Sequence, residues 1–126
     1  MELSVIIPCY NEADSLHSFL PKILEFGTSK NFEIILINDG STDGTREILG
    51  ANINNDINLK IIHHKLNKGY GGAIKSGIEA AGSKYCITID ADGQHKLEDV
   101  IKLYNRIIES DADMIIGSRK GQKDST

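Results

Sequence analysis

Two aspartates one residue apart, Asp90-Ala91-Asp92, directly follow the apolar run Tyr85 to Ile89. Two carboxylates on a turn can ligate a hard divalent cation such as Mg²⁺ or Mn²⁺. A cation held there can anchor a diphosphate and take up charge as it leaves. Gln94 can add a neutral oxygen, and His95 stands beside it. The tripeptide alone is weak evidence, because Asp111-Ala112-Asp113 repeats it. That copy precedes an apolar run instead of following one, where a capping or solvated turn is the natural reading. Zinc is disfavoured, since no two His or Cys have ligand spacing.

Four other polar clusters also follow apolar runs. They are Pro8-Cys9-Tyr10-Asn11-Glu12, Asn38-Asp39-Gly40-Ser41, Asn67-Lys68-Gly69-Tyr70-Gly71-Gly72 and Gly117-Ser118-Arg119. Asp39 can accept a hydrogen bond from a base or ribose; equally, an Asp-Gly turn with Asp39 or Ser41 capping the next helix explains it. Asp43 reads as a first-turn helix acid. The glycine-rich cluster, read as a loop before a helix, offers exposed N–H groups and a helix N-terminus to a phosphate. It lacks a P-loop ending and the dinucleotide fingerprint. Lys68 and Gly69 are its candidate phosphate contacts, against a solvated lysine and a plain turn glycine. Arg119 can neutralise phosphate, against an ordinary surface arginine. His63 and His64 read as structural, and His17 as a helix-surface residue.

The elements that must position these residues alternate. Leu3 to Ile7, Ile34 to Ile37, Leu59 to Ile62, Tyr85 to Ile89 and Met114 to Ile116 read as strands. Helices are expected between them: one opened by Asn11 as a cap, with Pro21 as an awkward guest; one through Thr45 to Leu49; one around Ala73 to Ala81; and one over Leu97 to Ile108. This βαβαβαβαβ order predicts an α/β fold, a mostly parallel Rossmann-like sheet with helices on both faces. In such sheets ligands bind at the carboxyl ends of the strands. Asp90-Ala91-Asp92 and the four other clusters fall at that end, and the Asp111-Ala112-Asp113 copy falls at the opposite one.

The chain has 126 residues and a formal net charge of −4. One domain with a proper core is expected, and a broad nucleic-acid surface is not. No apolar run approaches the ~20 residues of a membrane span, and no signal peptide is indicated. The reading is cytoplasmic, with association at the cytoplasmic face of a membrane left open. Cys9 and Cys86 read as buried free thiols.

Taken together, the segments Val5 to Glu12, Asn38 to Thr45, Asn67 to Ala73 and Asp90 to His95 resemble the family 2 glycosyltransferases of the GT-A fold. The Asp-Gly-Gln-His and Gly-Ser-Arg forms are similar to the polyprenyl-phosphate or dolichol-phosphate sugar transferases. The resemblance implies a nucleotide-diphosphate sugar donor, UDP- or GDP-linked, an acceptor that is a lipid phosphate, and Mg²⁺ or Mn²⁺. It implies that Pro8, Tyr10 and Glu12 border the nucleotide and that Asp39 binds the base. Asp90 would meet the ribose or metal, and Asp92 with Gln94 would hold the metal. Lys68, Gly69, Ala91 and Arg119 complete the expected nucleotide contacts, and Asp90 and Asp92 are the expected catalytic pair. Asn38 stands where many relatives carry a first Asp, which leaves base binding to Asp39. Residues 1–119 are expected to form the nucleotide-sugar-binding part, and 120–126 a polar tail that stops short of the acceptor-binding part.

No residue reads as a convincing general base. Either it lies in sequence beyond this chain, or the acceptor is a phosphate monoester. With a second pKa of about 6, a monoester is already a dianionic nucleophile at neutral pH. The alternatives are a nucleotide-sugar-binding module without turnover and a sugar nucleotidyltransferase. The latter calls for a glycine-rich basic loop after the first strand, where Pro8-Cys9-Tyr10-Asn11-Glu12 stands. A response-regulator-like domain calls for a Lys after the fifth strand, where Gly117-Ser118-Arg119 stands.

Overall fold

The computed structural model describes residues 2–51, 58–91, 97–110 and 114–116. Among the described residues, five strands alternate with four helices: β1 (Leu3–Cys9), α1 (Ala13–Lys30), β2 (Glu33–Asp39), α2 (Thr45–Ala51), β3 (Leu59–His64), α3 (Gly69–Ala80), β4 (Tyr85–Thr88), α4 (Leu97–Ser110) and β5 (Met114–Ile116). The strands form one sheet in the order β3-β2-β1-β4-β5, and all four pairings are parallel. The expected α/β class and parallel sheet are therefore present.

Side-chain alternation divides the core in two. Leu3, Val5 and Ile7 of β1, with Ile34 and Leu36 of β2, pack with Leu16, Leu20 and Ile23 of α1, Leu49 of α2, and Val100 and Ile107 of α4. Ile6, Ile35 and Ile37 point the other way, onto Ala73 and Ile74 of α3. Helices thus cover both faces. Gly77 of α3 lies so close to the sheet that a Cβ there would collide with Ile6 and meet Ile37 Cδ1 at 3.0 Å.

Helix α1 runs through Pro21 to Lys30; Pro21 is exposed, so its missing N–H falls on the solvent side. Two local readings are corrected. Asn11 does not cap α1, because it adopts a left-handed backbone (φ 51°) and its side chain turns to the β2–α2 segment. Gly69 to Gly72 form the first turn of α3 instead of a separate loop.

At the amino end of the sheet, away from the strand ends that carry the motifs, Glu33 is buried. Its Oε1 accepts from Ser4 Oγ at 2.7 Å and from the Gly82 N–H at 2.9 Å, and Lys60 Nζ lies 3.0 Å from Oε2. Burial pushes the carboxyl up, but the Gly82, Ser4 and Lys60 hydrogen bonds and the Lys60 charge outweigh it and hold Glu33 below its ordinary value. A lowered folded-state pKa gives stability that is present above the unfolded value near 4.5 and lost as pH falls through the folded value. Glu33→Gln is expected to cost about 1–3 kcal/mol at pH 7, with the gap closing as pH falls through the lowered folded value. Urea unfolding at pH 7 and across the acid range checks this; a pH-independent gap would contradict it.

Candidate functional site

The sheet reverses its strand order between β1 and β4. From β1 the chain winds outward through β2 to β3, then returns to the other side of β1 for β4 and β5. Such a switch point leaves a crevice beyond the carboxyl ends of the strands. A cleft of about 270 Å³ occupies it, lined by Pro8, Cys9, Tyr10 and Glu12 after β1, by Asp39 at the end of β2, by Asn67, Gly69, Tyr70 and Ala73 at the start of α3, and by Asp90 and Ala91 after β4. Its volume is comparable with the smaller ligand pockets.

Side-chain bonds fix the walls. Asn11 Oδ1 accepts from the N–H groups of Thr42 at 2.8 Å and Asp43 at 3.3 Å. In return the Asn11 N–H donates to Ser41 Oγ at 3.0 Å, that of Glu12 to Thr45 Oγ1 at 3.1 Å, and that of Ala13 to Asp43 Oδ2 at 3.2 Å. The turns after β1 and β2 are thereby laced together. Asp43 is more than a first-turn acid: its two oxygens serve the starts of both α1 and α2. Burial raises its pKa, but the donors from Thr45 and Ala13 prevail and hold it below the ordinary range.

Asp39 is buried. Its Oδ1 accepts from the Lys68 N–H at 2.9 Å and lies 2.7 Å from His64 Nδ1. His64 Nε2 lies 2.8 Å from Ser76 Oγ on α3. Asn67 Nδ2 donates to the Asp39 carbonyl at 3.2 Å, and Asn67 Oδ1 accepts from the Gly69 N–H at 2.9 Å. Neither Asp39 nor Ser41 caps α2 with its side chain. Asn38 points to the opposite face, where Nδ2 meets His63 Nδ1 at 3.0 Å and Oδ1 accepts from the Ser41 N–H. Burial, with Arg46 adding to it, lowers the His63 pKa. The first turn of α3 directs the positive end of its dipole at the cleft.

Pro8, Tyr10, Glu12, Asp39, Gly69, Asp90 and Ala91, all expected nucleotide contacts, meet at this cleft. Lys68 does not line it; its backbone N–H holds Asp39 and its exposed side chain lies against Gly72. Asp92, Gln94, His95 and Arg119 lie outside the described residues. Cys9, Asn67, Tyr70 and Ala73 join the lining without having been singled out as contacts. Asn67 and Tyr70 belong to the glycine-rich cluster, which was the available signal; Cys9 and Ala73 give none by residue type. Among the described residues no group of three or more His, Cys, Asp or Glu is placed to hold a metal. The oxygen-only set of Asp90, Asp92 and Gln94 fits a hard cation chemically, and Asp90 is among the residues that line the cleft.

Both cysteines are buried and free. Burial, reinforced by the Glu12 charge, pushes the Cys9 thiol up to about 12. Although it lines the cleft, Cys9 is expected to resist iodoacetamide at pH 8 in the folded chain and to react fully in urea. Peptide mapping by mass spectrometry checks this, and rapid native labelling would contradict it.

The Glycosyl transferase family 2 profile matches residues 4–126. The chain belongs to this family. It is 36% identical to a dolichyl-phosphate β-glucosyltransferase of Dictyostelium discoideum, over 98% of this chain and 41% of that protein. It is 34% identical to the dolichol-phosphate mannosyltransferase of Pyrococcus furiosus, over 98% of this chain and 35% of the relative. The chain thus spans about two-fifths of the length of these relatives or less. Among solved structures, S. aureus TarS 1–349 in complex with UDP superposes with a TM-score of 0.70 at 26% identity, covering 86% of this chain and 32% of that one. The Pyrobaculum calidifontis mannosyltransferase in complex with GDP-Man and Mn²⁺ gives 0.64 at 26% identity, covering 72% and 27%. The α/β fold is accordingly of the GT-A kind. Among the described residues, no helix is long and apolar enough to cross a membrane.

Proposed function

We propose that this chain is the donor-binding part of a glycosyltransferase that moves a sugar, with inversion, from a nucleotide-diphosphate sugar to a polyprenyl phosphate. The observation that carries this reading is the meeting of four separate motifs, each at a different strand end, in one cleft at the switch point. The names of the relatives, dolichyl- and dolichol-phosphate sugar transferases, favour the lipid phosphate. A lipid acceptor also favours work at the cytoplasmic face of a membrane.

In this reading Asp39 accepts a hydrogen bond from the base, while Tyr10 and Pro8 border the nucleoside. The start of α3 supplies N–H dipoles to negative charge. Asp90, Asp92 and Gln94 would hold Mg²⁺ or Mn²⁺, which when bound supplies electrostatic stabilisation of the diphosphate. The acceptor oxygen bonds to the anomeric carbon on the face opposite the diphosphate, and the bond from that carbon to the diphosphate oxygen breaks. A phosphate monoester, dianionic near neutral pH, needs no base to lose a proton first.

Calorimetric titration of the chain with UDP and with GDP, each with and without Mn²⁺, tests the reading. Binding of a nucleotide, tightened by Mn²⁺, is expected. Asp92→Asn is expected to remove most of the metal-dependent gain and to leave the fold intact by circular dichroism. A variant that binds nucleotide and Mn²⁺ like the parent would contradict the metal assignment.

A further inference from the structure

A carboxylate oxygen offers about two lone-pair sites. Asp39 Oδ1 has both occupied, by the Lys68 N–H at 2.9 Å and by His64 Nδ1 at 2.7 Å. A carboxylate only accepts, so in the Nδ1–H tautomer His64 donates to Oδ1. The ring is held from its other side by Ser76 Oγ on α3, and both Asp39 and His64 are buried, so the imidazole cannot swing away without leaving polar atoms unsatisfied. Oδ2 accepts no bond among the described residues, and Asp39 lines the cleft. Among the described residues, one oxygen of Asp39 is therefore left for a ligand.

The bases differ in what they bring to a single acceptor. Guanine presents two adjacent donors, N1–H and N2–H, which a carboxylate meets well only with both oxygens. Uracil presents one donor, N3–H, between two carbonyls. From this we infer that His64 is a specificity-determining positioning residue: by occupying Oδ1 it keeps Asp39 a one-oxygen acceptor and selects a uracil-type imide edge over guanine. The inference rests on the donor-site reading proposed above and adds the base and the residue that chooses it. His64 touches no ligand in this account; it acts through Asp39. The selection follows from the cost of leaving a buried donor unmatched: the second guanine N–H would face an oxygen already saturated.

Competition titrations with UDP and GDP on the parent, His64→Phe and His64→Asn test it. The parent is expected to bind UDP at least ~10-fold more tightly than GDP, the size of one unmatched polar group. His64→Phe vacates a lone pair on Oδ1, so the UDP-to-GDP ratio should fall toward one. His64→Asn, whose amide nitrogen can take the place of Nδ1, should restore it. A purely structural role would weaken both nucleotides together and leave the ratio unchanged, which would overturn the inference. So would a parent that prefers GDP or makes no distinction, and that result stands even if His64→Phe does not fold. If neither nucleotide bound the folded parent, the donor-site reading itself would fail, and the inference with it.

Discussion

Gly40→Ala is expected to destabilise the chain by about 2–5 kcal/mol, combining roughly 1–2 kcal/mol for a left-handed alanine with about 1–3 kcal/mol for overpacking. Gly40 sits immediately after Asp39 with φ 72°. A Cβ there would lie 2.5 Å from the Asn67 nitrogen and 2.8 Å from the Leu66 carbonyl carbon. Both neighbours are backbone, so relief requires moving the segment before α3 away from the end of β2. That segment carries the Lys68 N–H and the Asn67 side chain that hold Asp39. Stability and nucleotide binding should therefore fall together. Gly44→Ala is the control: its Cβ would meet only Ala13 Cβ, at 4.0 Å, and a change under ~0.5 kcal/mol is expected. Urea unfolding of both variants decides the matter, and equal midpoints would contradict the tight-approach account.

Asp39→Asn is expected to do the opposite, losing the ligand while keeping the fold. The amide oxygen can still accept from Lys68 and His64, and keeping those two buried bonds places the amide nitrogen where Oδ2 stood. A donor then faces the donor of the base. Nucleotide affinity should drop about 10- to 100-fold, or ~1.4–2.8 kcal/mol, with thermal unfolding shifted only slightly. Unchanged affinity would mean that Asp39 does not meet the base.

Much of this was legible in the chain. Continuous Val/Ile/Leu runs separated by helical periodicity fix a parallel α/β sheet, and parallel strands leave their carboxyl ends to ligands. That rule places Pro8, Glu12, Asp39 and Asp90 at one end of the sheet from sequence alone, and it sets Asp90-Ala91-Asp92 apart from its copy at Asp111. What sequence could not show depends on register and on pairs distant in sequence. His64 meets Asp39 because β2 and β3 align the two side by side, and a single histidine at a strand end carries no mark of that. The lacing of Asn11 to Thr42 and Asp43 spans thirty-odd residues; locally, Asn11 resembles a helix cap. The early start of α3 was hidden by Gly69, Gly71 and Gly72, which are poor helix formers. Packing of Ala73, Ile74 and Gly77 against the sheet overrides that preference.

The most direct test of the central claim, that the switch-point cleft is the nucleotide-sugar donor site, is photolabelling with azido analogues of UDP-glucose and GDP-mannose, followed by peptide mapping. Saturable label is expected on peptides containing residues 8–12, Asp39 or 67–73, and excess unlabelled nucleotide should protect them. Saturable label that maps elsewhere on the folded chain, with these peptides untouched, would contradict the account.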